Sequence, residues 1–216
     1  RDDLIEAEKL KQQLSLSLLQ QQVNPHFLYN TLDNICALAE LDEKETLIQL
    51  VMNLSSFYRS SLSNGKMHIS IGQELEISRA YLEILQIRYF HKFDFTITCP
   101  EALKNYSCIK LLLQPILENS IYHGIKGLDR HGILHIEAED AGDCIQFTIS
   151  DNGRGFSKED YEKIWQQDAD HFGIKSIQQR ILLYYGPGYG LSMQSPQTGG
   201  CITVITLPKQ EGLPCH

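Results

Sequence analysis

No C-x-x-C pair occurs in this sequence, although it holds six cysteines: Cys36, Cys99, Cys108, Cys144, Cys201 and Cys215. Their scatter argues against a zinc site and against a dense disulfide framework, and for reduced thiols in a cytosolic setting. Basic residues are also short. Nineteen Lys and Arg stand against 27 Asp and Glu, a formal net charge of −8. Such a balance argues against a nucleic-acid partner, which needs a basic surface. There is no run of 18 or more apolar residues and no secretory leader pattern within these 216 residues. The chain opens at Arg1 in mid-pattern, without an initiator methionine, so it is read as a fragment with room for a membrane span upstream. Internal repeats and low-complexity blocks are missing too. What remains is ordinary for a globular chain, 42% hydrophobic and 21% charged, and long enough for one large domain or two small ones.

The stretch from Leu19 to Asn30 organises the rest, because it carries a single imidazole, His26, directly after Pro25. Proline inside a helical run removes a backbone donor and loosens the preceding turn, which pushes His26 toward solvent. Leu28 and Leu32 are expected to supply core contacts, and Asn30 shares the His26 face one turn on. An exposed imidazole can accept a phosphoryl group on nitrogen. On its own, the Pro-His pair reads first as a surface histidine after a kink.

Apolar residues recur at helical intervals from Leu4 to about Ala39 and again from about Glu45 to Ser61, with a polar break at Leu41–Lys44. This is a helical hairpin. It cannot cover its own apolar face, so a four-helix bundle from two chains is the natural solution. Ser63-Asn64-Gly65-Lys66 is a turn signal and the expected domain boundary and hinge. A helix is expected from about Gly72 to Tyr89, and Phe93, Phe95 and Ile97 then alternate with polar residues as a strand. Pro115 places the next helix start near Leu113. The runs Leu134–Ala138 and Ile145–Ile149, joined at Gly142-Asp143, predict an antiparallel hairpin with one buried face. Ser157 and Asp160 look like a helix-starting capping pair. A helix from about Gly173 to Tyr185, stopped by Gly186-Pro187-Gly188, precedes two closing strands. The fold class is α+β.

Three stretches of the second half carry chemistry. In Glu118-Asn119-Ser120-Ile121-Tyr122-His123-Gly124, Asn119 and His123 lie one turn apart and can face one cavity; an amide oxygen and a carboxylate suit magnesium. In Asp151-Asn152-Gly153-Arg154-Gly155-Phe156, an aspartate at a strand end can accept from an exocyclic amine, while the glycines let the backbone approach a flat ring. In Phe172-Gly173-Ile174-Lys175-Ser176, a glycine-led helix start offers free amides to phosphate, and Lys175 adds charge. Singly, these read as solvated helix surface, a plain loop and an ordinary helix start. Their joint order carries more.

With Gln22-Val23-Asn24-Pro25-His26-Phe27-Leu28-Tyr29-Asn30-Thr31-Leu32, Leu113-Gln114-Pro115-Ile116-Leu117-Glu118-Asn119-Ser120-Ile121 and Asp151–Phe156, the chain resembles sensor histidine kinases of the LytS/YesM-like branch over roughly residues 15 to 208. The first motif is specific to that branch; the others are shared with the wider Bergerat-fold (GHKL) ATPases. The resemblance implies a signalling helix and phosphoacceptor hairpin over residues 1–66, an α/β sandwich ATP-binding domain over 67–210 and a tail over 211–216. It implies His26 as phosphoacceptor and Asn119 as the magnesium-linked residue, with Glu118 and His123 close to the phosphates. Asp151 would read adenine, supported by Gly153 and Gly155. Gly173 would be the surviving glycine of a second glycine box, and Gly199, Gly200 and Thr203 resemble the family's closing stretch. Residues 157–172 would form a lid over ATP. ATP and Mg2+ are the implied cofactors. The implied partners are a second copy, joined through the N-terminal helices, and the receiver domain of a response regulator. The implied location is the cytoplasmic part of a bacterial membrane protein.

Three departures stand out. His171 replaces the first glycine of the second box, Ser176 stands where asparagine is common, and Cys201 stands where threonine is more usual. Phe27 follows the phosphoacceptor where many histidine kinases carry an acid, leaving the general base unnamed; Asn30 could orient a water for dephosphorylation. The expected activity is ATP-dependent autophosphorylation of His26 followed by transfer to an aspartate. The alternatives are a Bergerat-fold ATPase doing conformational work and a signalling adaptor without nucleotide binding.

Overall fold

The computed structural model describes residues 25–62, 67–165 and 172–211. The expected helix before Pro25, the turn at Ser63–Lys66, His171 and Cys215 lie outside them. The chain divides into two compact units, residues 1–52 and 53–216.

In the first unit, α1 (Pro25–Glu40) and the start of α2 (Lys44–Leu62) are joined by a turn in which Asp42 adopts φ 58°. Phe27, Thr31 and Leu50 are buried, and the Thr31 hydroxyl donates to the Phe27 carbonyl at 2.7 Å. Leu32, expected in the core, is instead 44% exposed. The buried stripe of α1 runs through positions 27 and 31, one residue out of phase with 28 and 32. Tyr29, Leu32, Ile48, Val51 and Met52 are all large, apolar and exposed.

The second unit is built on a five-stranded sheet in the order β2-β4-β5-β7-β6. Its strands are β2 (Phe93–Thr98), β4 (Gly132–Asp140), β5 (Cys144–Asp151), β6 (Gly190–Gln194) and β7 (Cys201–Pro208). β2 runs parallel to β4; every other pairing is antiparallel. Strict alternation puts Leu134, Ile136, Ala138, Ile145, Phe147, Ile149, Ile205 and Leu207 on one buried face. Asp151 falls in phase with them and pairs with Leu134 on one side and Cys201 on the other. The register thus places a carboxylate at the end of the inward face.

That face is covered by α3 (Ile71–Arg88) and α6 (Phe172–Tyr185), and α4 (Gln114–Asn119) packs on both. α3 starts with a complete capping box: the Ser70 hydroxyl accepts from Gln73 N, and the Gln73 side chain accepts from Ser70 N. A short antiparallel ribbon that the sequence pattern did not announce, β1 (His68–Ser70) with β3 (Ser107–Ile109), precedes α4. The connection from β3 into α4 contains Leu111 at φ 54°. It is held by Glu74 of α3, whose carboxylate accepts from Leu111 N at 2.8 Å and Leu113 N at 2.9 Å. Arg180 of α6 donates to the Leu111 carbonyl at 3.2 Å and to the Lys110 carbonyl. Burial pushes the Glu74 carboxyl up, and the backbone amides and the Arg180 charge offset part of that rise.

Among the described residues no helix is long and apolar enough to cross a membrane.

Candidate functional site

α4 does not end at Asn119. The chain continues as a π-helical turn over Ser120–Ile125, closed by Lys126 N donating to the Ile121 carbonyl at 2.8 Å. The wider turn fans Asn119, Ser120, His123 and Gly124 onto one wall of a cleft. It also leaves the Gly124 carbonyl to accept from Arg154 N at 3.1 Å, which ties this turn to the loop after β5.

Asp151 and Cys201 form the floor of the cleft, and Arg154, Gly155 and Phe156 form the opposite rim. α5 (Lys158–Trp165) closes the side with Asp160 and Ile164, one turn apart. The cleft has a volume of about 190 Å³ and is partly open to solvent. α5 starts as the Ser157-Asp160 spacing predicted: Asp160 N donates to Ser157 Oγ and Ser157 N to Asp160 Oδ2, both at 3.1 Å. The Ser157 amide and hydroxyl both donate to Asp160 Oδ2 and hold the Asp160 carboxyl below its ordinary value. Phe156 stacks on Tyr161 at 5.9 Å, fixing the rim to α5. Residues 166–171 of the expected lid lie outside the described part.

The two oxygens of Asp151 are used differently. Oδ1 accepts from Gly153 N at 2.8 Å and Cys201 N at 3.3 Å. Oδ2 is buried and has no hydrogen-bond partner in the structure. Burial raises the carboxyl above its ordinary value, against the Ser120 side chain and the two amides. Beside it, the Cys201 thiol is pushed up to about 11, again chiefly by burial. An unsatisfied buried acceptor facing a cleft asks for a donor from a ligand. The exocyclic amine of adenine is such a donor.

The backbone around Asp151 has no room for side chains. A Cβ at Gly153 would stand 2.6 Å from Asp151 Oδ1 and 2.7 Å from the Gly124 backbone. Gly200, at φ 85°, passes so close that a Cβ would overlap the Asp151 carbonyl oxygen.

Of the residues singled out in the sequence, Asn119, His123, Asp151 and Gly155 line the cleft, and Gly153 and Gly200 close in behind it. Glu118 is not among the lining residues. Its Oε1 accepts from the Tyr81 hydroxyl at 3.2 Å and from Gln114 Nε2 at 3.1 Å. Gly173 lies against Pro115 of α4, and Lys175 is half-buried in the first turns of α6; neither lines the cleft. In the first unit, His26 is exposed, and Asn30 one turn on donates its amide to the His26 carbonyl at 2.6 Å.

Ser120, Gly124, Arg154, Phe156, Asp160 and Ile164 also line the cleft but were not singled out. Adjacency to Asn119 and to the glycines could have flagged the first four. Nothing in the types of Asp160 and Ile164 marks them; only the helix phase of α5 brings them in.

A family model described as histidine kinase matches residues 14–93. A second, described as histidine kinase-, DNA gyrase B-, and HSP90-like ATPase, matches residues 106–211. The chain belongs to the histidine kinase family. His26 lies in the first matched region, and every described residue lining the cleft lies in the second. Sensor histidine kinase YesM of Bacillus subtilis (strain 168) is 32% identical over 207 residues, covering 96% of this chain and 35% of YesM. Sensor histidine kinase BtsS of Escherichia coli (strain K12) is 33% identical over 181 residues, 84% of this chain and 31% of BtsS. The chain therefore spans about a third of the length of these relatives.

Among solved structures, the catalytic domain of histidine kinase ThkA shares the fold at a TM-score of 0.52 and 14% identity. It covers 67% of this chain and 96% of that domain. Histidine kinase ThkA in complex with response regulator protein TrrA gives a TM-score of 0.53 at 15% identity, covering 96% of this chain and 66% of that one.

Proposed function

We propose that this chain is the kinase portion of a two-component sensor: it binds Mg-ATP in the cleft and transfers the γ-phosphoryl to a ring nitrogen of His26. The observation that carries the reading is the unpartnered Asp151 Oδ2 at the floor of the cleft, with Asn119 and His123 on the adjoining wall. In this reading Asp151 accepts from the adenine amine, and the closely packed glycines admit the flat ring. His123 contacts the phosphates.

Among the described residues no group of three or more His, Cys, Asp or Glu converges on a metal position. Asn119, on the cleft wall, would hold magnesium through its amide oxygen together with phosphate oxygens and water. Bound there, the ion would neutralise phosphate charge during transfer. In the transfer itself, an unprotonated nitrogen of His26 attacks the γ-phosphorus in line. The bond to the bridging oxygen breaks and ADP leaves with its electron pair. The exposure of His26 and the anchoring of Asn30 to the same turn support this role.

The exposed apolar residues of α1 and α2, among them Tyr29, Ile48 and Met52, support a homodimer through these helices. The phosphoryl then passes to an aspartate on a response regulator, the class of partner named for ThkA. The full-length protein is proposed to be membrane-anchored, with this portion in the cytoplasm.

The binding half of the reading is tested by calorimetric titration with ATP, with and without magnesium. Asn119→Ala should remove the magnesium-dependent gain in affinity and leave the weak magnesium-free binding in place. An unchanged affinity in magnesium would contradict the role given to Asn119.

A further inference from the structure

Helix α2 starts in the unit that holds His26 and ends in the unit that holds the cleft. Within the second unit, its residues Asn53, Phe57 and Ser61 recur every fourth position and are 8%, 2% and 0% exposed. One helical stripe is therefore packed away along the last turns of α2. The Phe57 ring lies 5.7 Å from the ring of Tyr81, tilted by 40°. Tyr81 sits in the middle of α3 and is fully buried. Its hydroxyl donates to Glu118 Oε1, the oxygen that Gln114 also holds from one turn earlier. Glu118 is bonded through one peptide to Asn119, at the point where α4 widens into the π-helical turn.

The geometry points to Tyr81 as a positioning residue that ties the end of helix α2 to the Asn119 wall of the cleft: its ring packs on Phe57 and its hydroxyl holds Glu118. The inference rests on the proposed nucleotide site and adds a route by which the hairpin helix governs it. Hydrogen bonds to a carboxylate are short-range and directional, so they fix the Glu118 side chain and the turn that carries it. π-helical turns are rare and occur mostly as single turns within helices, frequently at functional sites. Removing the Tyr81 donor leaves one neutral donor on that oxygen, and Asn119 loses part of its fixed position. A shift of α2 that displaces Phe57 acts on the same ring and hydroxyl. Glu118, on this account, works by holding its neighbour and not by touching the nucleotide.

The test uses Tyr81→Phe, which keeps the ring, together with Phe57→Leu and Glu118→Ala. Affinities for Mg-ATP and for adenosine are measured by titration on the whole chain, alongside melting temperature. Adenosine meets the Asp151 floor and lacks the phosphates that the Asn119 wall serves. Tyr81→Phe should weaken Mg-ATP about tenfold, the scale of a small misplacement of a positioned group. Adenosine affinity should stay unchanged, and melting should fall by no more than about 4 °C. Phe57→Leu should show the same selective loss. In a Glu118→Ala background, Tyr81→Phe should add less than about a twofold further loss, because two residues acting through one contact are not additive.

An unchanged Mg-ATP affinity in Tyr81→Phe overturns the inference. So does an equal loss for ATP and adenosine, which marks a merely structural tyrosine, and so does full additivity with Glu118→Ala. Failure of the unmodified chain to bind Mg-ATP overturns the proposed nucleotide site itself, a different outcome from binding that ignores Tyr81.

Discussion

Asp151 gives one carboxylate oxygen to the backbone and leaves the other for whatever enters the cleft. That division makes Asp151→Asn an informative change. The amides of Gly153 and Cys201 both donate to the Oδ1 position, so the asparagine oxygen must take that place. Its NH2 group then stands where Oδ2 was, a donor facing a donor. A site built around one hydrogen bond rejects the wrong partner strongly, so adenine nucleotide affinity should fall at least about a hundredfold. Stability should move the other way. Burial raises the Asp151 carboxyl in the folded chain. Its contribution to stability is therefore complete below the unfolded value and is lost as pH rises through the folded one. Melting curves should show Asp151→Asn gaining on the unmodified chain as pH rises from about 4 toward 7. A variant that melts progressively earlier than the unmodified chain over that range would contradict the assignment.

The choice of Asp151 was legible from its residue type at the end of an alternating strand followed by glycines. The use of its two oxygens was not, because it depends on β7 bringing the Cys201 amide alongside.

Among the elements, the turn from β3 into α4 depends on residues far away in sequence. Glu74 supplies acceptors for Leu111 N and Leu113 N, and Arg180 covers the carbonyls of the same turn. Removing the carboxylate leaves two buried amides unsatisfied and takes away a negative charge that favours the Arg180 guanidinium. Glu74→Ala should cost about 3–5 kcal/mol in urea unfolding. Glu74→Gln, which keeps one acceptor, should cost less. Equal stability of both variants with the unmodified chain would show that the turn holds itself.

The same turn marks the limit of sequence reading at this scale. The β4–β5 hairpin, α5 with its capping pair and α6 were visible because each spans enough residues to establish a period or a cap. β1 and β3 have three residues each, too few for an alternation to register. The π-helical turn has no composition of its own; it arises where Gly124 must lie against Gly153. Leu32 was misplaced because α1 buries the neighbouring stripe, through Phe27 and Thr31.

For the whole molecule, the family match joins a region around His26 to a region that holds the cleft. The stretch around His26 stood out because an imidazole after proline in a helical run is uncommon. Two of the three weak motifs, those around Asn119 and Asp151, meet in the cleft, and the third, at Gly173, does not line it. The account stands or falls on whether phosphate moves from one region to the other, and mapping that transfer is the most direct measurement. The purified chain is incubated with magnesium and γ-labelled ATP, and the modified residue is located by mass spectrometry under conditions that preserve phosphoramidates. The account predicts one acid-labile, base-stable phosphoryl group on His26, absent from His26→Ala although that variant still binds ATP. Label on any other residue, or label persisting on His26→Ala, would contradict it.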